Sequence, residues 1–287
     1  MWNVSKTLKV EIAGICLKIN VERDKLFEYL KTFFRKYLSR RSPDYIVDIL
    51  SSSSPGERIR DIRAGQMPPA SIVRKGKKLI LQVNLSSRGS KRNVLEAGFI
   101  DMKEKRAMLN DYLPGLTKLL SVPFLRSFLH VILSEKGGFL LHASGVVNNG
   151  HCCLFSGPSG SGKTTIANLS KGMKILSDDI VCVKKAKGGY FASSTPWRKD
   201  EAGKPVRVGG IFFIRHGKKT VLKKMTTAIA SLEITKNMFN ACSDEKVLAK
   251  MLNTAKDISS IVDCYEMRVS LKEPFWEKVK AVTGKSY

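Results

Sequence analysis

The chain has 287 residues, of which 43% are hydrophobic and 8% aromatic, so it can bury one large core or two smaller ones and is not a disordered chain. Its 50 basic and 25 acidic residues give a net charge of +25. This charge predicts an anionic partner, such as a nucleotide, a nucleic acid, an acidic peptide or an anionic surface. Because the basic residues are spread along the chain, the charge alone does not select nucleic acid.

The cysteines and the hydropathy pattern indicate where the protein works. None of the six cysteines forms a C-x-x-C pair, and four lie in apolar runs typical of strands. We therefore expect small core residues in a reducing compartment, not zinc ligands or a disulfide framework. No run approaches the roughly 18 apolar residues of a membrane span, and the N-terminus has no apolar signal core. These features predict a cytoplasmic protein.

Residues 1–112 are predicted to form a small α+β region, which could recognise a substrate or a partner. Apolar and polar residues alternate on both sides of Gly14, which predicts either two strands within residues 8–19 or one strand bent at a bulge. Apolar residues recur at helical spacing within residues 22–38, which predicts a helix. Residues 51–63 are rich in serine and charged residues, which predicts a loop. Further short strands are predicted at 45–50, 72–73, 79–85, 94–100 and 106–109.

Residues 113–287 are predicted to form a nucleotide-binding domain with a mixed β-sheet core, which makes the protein α/β. An apolar helix is expected at 114–134, and Asn148-Asn149-Gly150 predicts a tight hairpin turn. The predicted strands are 140–147, 151–155, 174–176, 180–183, 190–193, 206–214 and 263–269, and the later helices are 245–261 and 274–282.

The most specific motif is a phosphate loop of the form G-x-x-x-x-G-K-[ST] at 157–165. A predicted strand precedes it and a short helix follows, as the motif requires. Glycines let backbone N–H groups turn inward around phosphate oxygens, and the helix N-terminus adds a positive dipole. Lys163 can reach the terminal phosphates and Thr164 can ligate magnesium. The predicted nucleotide-binding residues are Gly157, Pro158, Ser159, Gly160, Ser161, Gly162, Lys163, Thr164 and Thr165.

Two adjacent acidic residues, Asp178 and Asp179, end the strand predicted after the phosphate-loop helix. A right-handed crossover would return them beside the loop. One carboxylate could then help to hold magnesium, and the other could accept a proton from the attacking hydroxyl or water. His142 lies on the first strand of the hairpin that leads into the loop. It could orient a catalytic carboxylate, or it could be a core residue of an apolar strand.

Three segments in this order resemble the catalytic domain of HPr kinase/phosphorylase, which belongs to the phosphoenolpyruvate-carboxykinase-like nucleotide folds. They are residues 141–147 with His142, residues 154–165 with the phosphate loop, and residues 175–179 with the acidic pair. Residues 194–197 and 208–214 are similar to divergent relatives of that enzyme, some of which occur in peptide-modification gene clusters and phosphorylate serine on a small peptide.

The resemblance covers roughly residues 138–270, and residues 1–110 resemble the N-terminal part of the divergent relatives less specifically. It implies that Lys163 and the loop glycines hold the phosphates, that Thr164 and Asp179 hold magnesium, and that Asp178 is the general base with His142 beside it. The glycine-rich, arginine-containing signature of the family has no clear equivalent here. Phosphorolysis and the family's hexamer are therefore not implied, although a homo-oligomer remains open.

We therefore expect an ATP- and Mg²⁺-dependent kinase that phosphorylates a serine of an acidic peptide or protein. The alternatives are a kinase for a small hydroxyl compound such as free serine, a nucleic-acid-dependent ATPase and a regulatory nucleotide-binding protein. A transporter-type ATPase is disfavoured, because its L-S-G-G-Q-like signature is missing. The polar segment 197–205 is either a surface loop, or a lid or acceptor clamp at the site. Arg198 and Lys204 in this segment, and Arg207 just after it, could stabilise the transferred phosphoryl group.

Overall fold

A computed structural model describes residues 5–51, 70–84, 94–111, 114–197, 203–270 and 273–283. Within these residues the chain forms two mixed β-sheets and six helices, which confirms the predicted α/β class. Most of the loop predicted at 51–63, and Arg198 in the segment 197–205, fall outside the described residues.

The chain divides into two compact units. The first consists of Met1–Ile132 and Asn240–Leu248, and the second of Leu133–Phe239 and Ala249–Tyr287. The phosphate loop, both aspartates of the acidic pair and His142 therefore belong to the second unit.

The first unit is built on a seven-stranded sheet in the order β1-β2-β3-β7-β6-β5-β4. Strands β2, β3 and β7 run parallel to one another, and the other neighbours are antiparallel. The strands are β1 (Lys6–Ile12), β2 (Ile15–Val21), β3 (Tyr45–Ser51), β4 (Ala70–Lys75), β5 (Lys78–Asn84), β6 (Val94–Asp101) and β7 (Arg106–Asp111). Helix α1 (Asp24–Phe33) and a 3-10 turn (Arg35–Tyr37) follow β2, and α2 (Pro114–Glu135) follows β7.

The first hairpin shows how the sequence specifies this sheet. Ala13 and Gly14, with φ of 53° and 74°, form the two-residue turn between β1 and β2. Two left-handed residues give the turn a twist that matches the strands. On the strands, buried Val10 and Ile19 alternate with polar residues, and α1 packs on the pair through buried Leu30.

The second unit contains β8 (Gly138–Asn148), β9 (His151–Ser156), β10 (Lys174–Ser177), β11 (Ile180–Ala186), β12 (Gly189–Ser193), β13 (Val206–His216), β14 (Val221–Lys224) and β15 (Cys264–Val269). Its helices are α3 (Lys163–Leu169), α4 (Thr227–Asn237), α5 (Glu245–Ile261), which begins in the first unit, and α6 (Phe275–Thr283). The sequence predicted these elements within a few residues, except for β14 and α4, which it did not predict.

Strand β8 is the shared neighbour in this second sheet. One side of β8 pairs with β9, and the other pairs with β10 and then with β11, all antiparallel. Strand β13 lies parallel to both β9 and β15. Because β12 pairs with β11 and also with β13, the sheet closes on itself through β8, β9, β13, β12 and β11.

An apolar layer supports the helix that follows the phosphate loop. Phe212 on β13 stacks against Phe155 at 5.2 Å and against Tyr265 at 5.4 Å between ring centroids. Ile166 of α3 and Phe275 of α6 are buried in the same cluster. Burial of this many large side chains fixes α3, and with it the loop, against the sheet.

All six cysteines are buried and free, and their burial agrees with the prediction that they are small core residues. Burial raises the pKa of the Cys153, Cys182 and Cys264 thiols to about 12. These thiols therefore stay protonated at neutral pH and act as small apolar side chains.

The segment before α5 is bound to the edge of the first sheet. The Ile72 amide donates to the Ala241 carbonyl, and the Ser243 amide donates to the Ile72 carbonyl, both at 2.9 Å. Next along the chain, the buried Asp244 side chain accepts from the Val247 amide at 3.0 Å and forms a salt bridge with Arg74.

Replacement of Asp244 is predicted to destabilise the first unit. Asp244→Ala removes the helix cap and leaves Arg74 without this carboxylate, so we expect a loss of about 1–3 kcal/mol in the free energy of unfolding. Urea denaturation would measure the loss. Asp24→Asn, at a carboxylate with 74% of its side chain exposed, is the control and should change stability little. Equal stability of the Asp244 variant and the wild type would contradict this role.

The fully buried His130 on α2 is predicted to make the protein sensitive to acid. Burial lowers the pKa of His130 from 6.5 to about 4. Between about pH 4 and pH 6.5 the unfolded chain therefore binds more protons than the folded chain. The free energy of unfolding should therefore fall as the pH drops from 6.5 to about 4, by about 3 kcal/mol from this group. His130→Phe should flatten that part of the stability–pH curve. A slope equal to that of the wild type would refute the prediction.

Candidate functional site

The phosphate loop leaves the sheet at the end of β9 and leads directly into α3. Gly160 and Gly162 have φ of 79° and 101°, which a residue with a side chain rarely adopts. At Gly157 the constraint is space, since an added Cβ would lie 2.8 Å from Ser161 Oγ. The glycines are thus required by the backbone path of the loop.

Lys163 folds back over the loop. Its half-buried ammonium donates to the carbonyl oxygens of Gly157 at 2.8 Å and Pro158 at 2.9 Å. Burial lowers the Lys163 pKa, and the negative charge of Asp179 partly offsets this effect. An electrostatic link between the loop and the acidic pair is therefore present in the fold itself.

The acidic pair and the loop flank the same residue of β8. The Ala143 amide donates to the Asp179 carbonyl at 2.9 Å on one side of the strand, and Ala143 pairs with Ser156 on the other side. Ser156 is the last residue before the loop. Because neighbouring strands lie about 4.8 Å apart, the backbones of Asp179 and Ser156 are about 10 Å apart. A phosphate chain bound to the loop would lie within reach of the carboxylates.

The turn that carries the aspartates is held by side chains around it. The Ser177 hydroxyl accepts from the amides of Asp179 and Ile180, each at 3.2 Å, and the Thr195 hydroxyl donates to the Ile180 carbonyl at 2.7 Å. Oδ1 of Asp178 is buried and has no hydrogen-bond partner among the described residues. A buried acceptor without a donor is costly, so this oxygen is suited to accept a proton or a donor from a ligand.

His142 lies in the same region. It pairs with Ile180, directly after the aspartates, and its carbonyl accepts from the Ser156 hydroxyl at 2.8 Å. Because side chains alternate along a strand, His142 shares a face of β8 with Val146, which packs with Ile166 of α3. The half-buried ring lies 6.4 Å from the Phe239 ring. The structure thus brings His142, the loop and the acidic pair together.

A magnesium ion could be held here only with the help of phosphate and water. Thr164, at the start of α3, is exposed, and Asp179 lies close enough to Lys163 to influence its pKa. Within the described ranges, no cluster of three or more His, Cys, Asp or Glu side chains could bind a metal. Mg²⁺ at nucleotide sites commonly has one or two protein ligands and completes its shell with phosphates and water, so these residues fit such an ion.

One residue at the loop was not identified from the sequence. Nε2 of His216, the last residue of β13, lies 3.3 Å from the carbonyl oxygen of Gly160. The predicted strand ended at residue 214, and an isolated histidine after a strand carries no motif. Only the parallel pairing of β13 with β9 brings it to the loop.

The structure does not bring Lys204 and Arg207, which were predicted to stabilise the phosphoryl group, to the loop. Arg207 pairs with His151 at the start of β9, about five residues or 17 Å along the strand from Ser156. The residue before Lys204, Gly203, lies beside Lys174, which pairs with Val147 near the same end of the sheet. Arg207 and Lys204 are therefore remote from the phosphates that the loop would bind.

The fold is that of a mixed α/β protein, and within it a glycine-rich loop lies near an acidic pair. The family model described as "ScmC: SynChlorMet cassette protein ScmC" matches residues 117–283, which is more than half of the chain. The chain therefore belongs to this family. No curated protein matches the chain. None of the described helices is long and apolar enough to cross a membrane.

The coupling between Lys163 and Asp179 predicts a measurable change in pKa. Asp179→Asn removes the charge that favours the ammonium form, so the Lys163 pKa should fall further below its ordinary value. An NMR titration of the lysine Cε signals would measure this. Asp178→Asn is the matched control and should have a smaller effect. An unchanged Lys163 pKa in Asp179→Asn would show that the two charges are not coupled.

Proposed function

We propose that this protein is an ATP- and Mg²⁺-dependent kinase that transfers the γ-phosphate to a serine hydroxyl of a peptide or protein. The observation that carries the proposal is the arrangement around Ala143, with the strand entering the phosphate loop on one side and Asp179 on the other. The resemblance to HPr kinase/phosphorylase in the same residues supports it.

The chain's own residues supply positioning, charge and a proton acceptor. The loop would hold the triphosphate, and the Lys163 ammonium would move from its carbonyl acceptors to the β- and γ-phosphates. Asp178 would accept the proton of the serine hydroxyl as the new O–P bond forms and the bond between the γ-phosphorus and the β-phosphate oxygen breaks, releasing ADP. Bound Mg²⁺, held by Thr164 and Asp179, would neutralise phosphate charge. His142 would orient the carboxylate of Asp178.

The acceptor is proposed to be acidic because the protein carries a net charge of +25. A positive surface raises the local concentration of anionic peptides and of nucleotide together. The family is described as a cassette protein, which makes peptides encoded beside its gene the first acceptors to test.

The proposal predicts that Asp178→Asn strongly slows phosphoryl transfer while nucleotide binding remains. The amide cannot accept the proton, so the rate of transfer should fall by about 10²-fold or more. The measurement is phosphoserine formation by mass spectrometry with MgATP and the candidate peptides, alongside the affinity for nucleotide.

Asp24→Asn is the control for this experiment, since that exposed carboxylate lies on α1 of the first unit. Phosphate on free serine alone would favour the small-molecule kinase. ATP hydrolysis stimulated only by DNA or RNA, with no phosphopeptide, would replace the kinase proposal with a nucleic-acid-dependent ATPase.

A further inference from the structure

We infer that His216 is a positioning residue that holds the tip of the phosphate loop in the shape that binds a triphosphate; this inference rests on the proposed nucleotide binding. The contact is the 3.3 Å approach of His216 Nε2 to the Gly160 carbonyl oxygen. Since a carbonyl oxygen can only accept, Nε2 carries the hydrogen.

The contact acts on a single peptide group. The Gly160 carbonyl and the Ser161 N–H belong to one planar peptide and point in opposite directions. The Ser161 amide donates to the Pro158 carbonyl at 3.2 Å, while the Gly160 oxygen accepts from His216. The peptide plane is therefore fixed at both ends, once from within the loop and once from β13.

The support from β13 matters because the loop tip is exposed to solvent. Pro158, Ser159 and Gly160 are exposed, and a Cβ added at Gly160 would have no neighbour within 4 Å. A glycine with a positive φ also has many alternative conformations to lose. A fixed tip has less conformational entropy to lose when phosphate binds, which increases affinity.

His216 can provide support because its own backbone is rigid. It pairs with Val269, whose carbonyl accepts from the Gly217 amide at 3.1 Å. Before it, Arg215 forms a 2.6 Å salt bridge with Glu233. After it, the amide of buried Thr220 donates to Glu273 at 2.7 Å. Both ends of the segment that presents the ring are thus held.

The expected effect is a loss of nucleotide affinity with little change in turnover. One hydrogen bond contributes about 1 kcal/mol, so His216→Phe, which retains a ring without a donor, should raise the Kd for MgATP about fivefold. The kcat at saturating nucleotide should stay within about twofold, because the residues assigned to proton transfer are unchanged. His216→Gln has an amide donor and should recover part of the affinity.

The matched control is His151→Phe. His151 also has a ring nitrogen near a carbonyl, Nδ1 at 3.1 Å from Asn149 O, but it lies at the opposite end of β9 from the loop. Its replacement should leave the Kd unchanged. Thermal unfolding of each variant identifies any that lose affinity through loss of fold.

The experiment is calorimetric titration of the wild type, Lys163→Ala, His216→Phe, His216→Gln and His151→Phe with MgATP, followed by steady-state kinetics. Weaker binding in His216→Phe, partial recovery in His216→Gln and no change in His151→Phe would support the inference. Wild-type affinity in His216→Phe, while Lys163→Ala binds poorly, would overturn the inference alone. If the wild type binds no nucleotide, the proposed function fails, and the inference fails with it.

Discussion

The site depends on the pairing of one strand, β8, with partners on both sides. At Ala143 its backbone is bonded to Asp179 on one side and paired with Ser156 on the other, so the aspartate turn and the phosphate loop lie at the same end of the sheet. Backbone hydrogen bonds fix strand spacing to within a few tenths of an ångström. The separation of the aspartate turn and the glycine-rich loop is therefore determined by the sheet.

The charges of Lys163 and Asp179 partly balance each other beside a packed apolar cluster. The apolar cluster that contains Phe155 and Phe212 holds α3, and burial at its start makes the ammonium of Lys163 less favourable. Asp179 reduces that cost, and the loop carbonyls accept hydrogen bonds from the same group. Phosphate oxygens could replace the carbonyls as acceptors. The proposed transfer chemistry rests on this exchange of acceptors.

Much of the local structure was predictable because the signals are local. The left-handed turn at Asn149 and Gly150, the helical spacing that gave α5, and the strand–loop–helix pattern around Lys163 each lie within a short stretch of chain. Helix α4 was missed because its apolar residues do not form one clear face, and two of them, Ile229 and Leu232, are exposed. Strand β14 was missed because it has only four residues, two of them lysines, and is defined by its pairing with β15.

The sequence by itself determined the secondary structure around the phosphate loop, the glycines that its backbone requires and the α/β class, because each follows from residue type and spacing. Tertiary structure alone decided which distant residues meet there. Parallel pairing with β9 brings His216 to the loop and leaves Arg207 at the other end of the same strand. Sheet closure pairs Arg207 with β12, and the salt bridge between Arg74 and Asp244 joins residues 170 positions apart. Such contacts depend on strand order and register, which residue spacing along the chain does not encode.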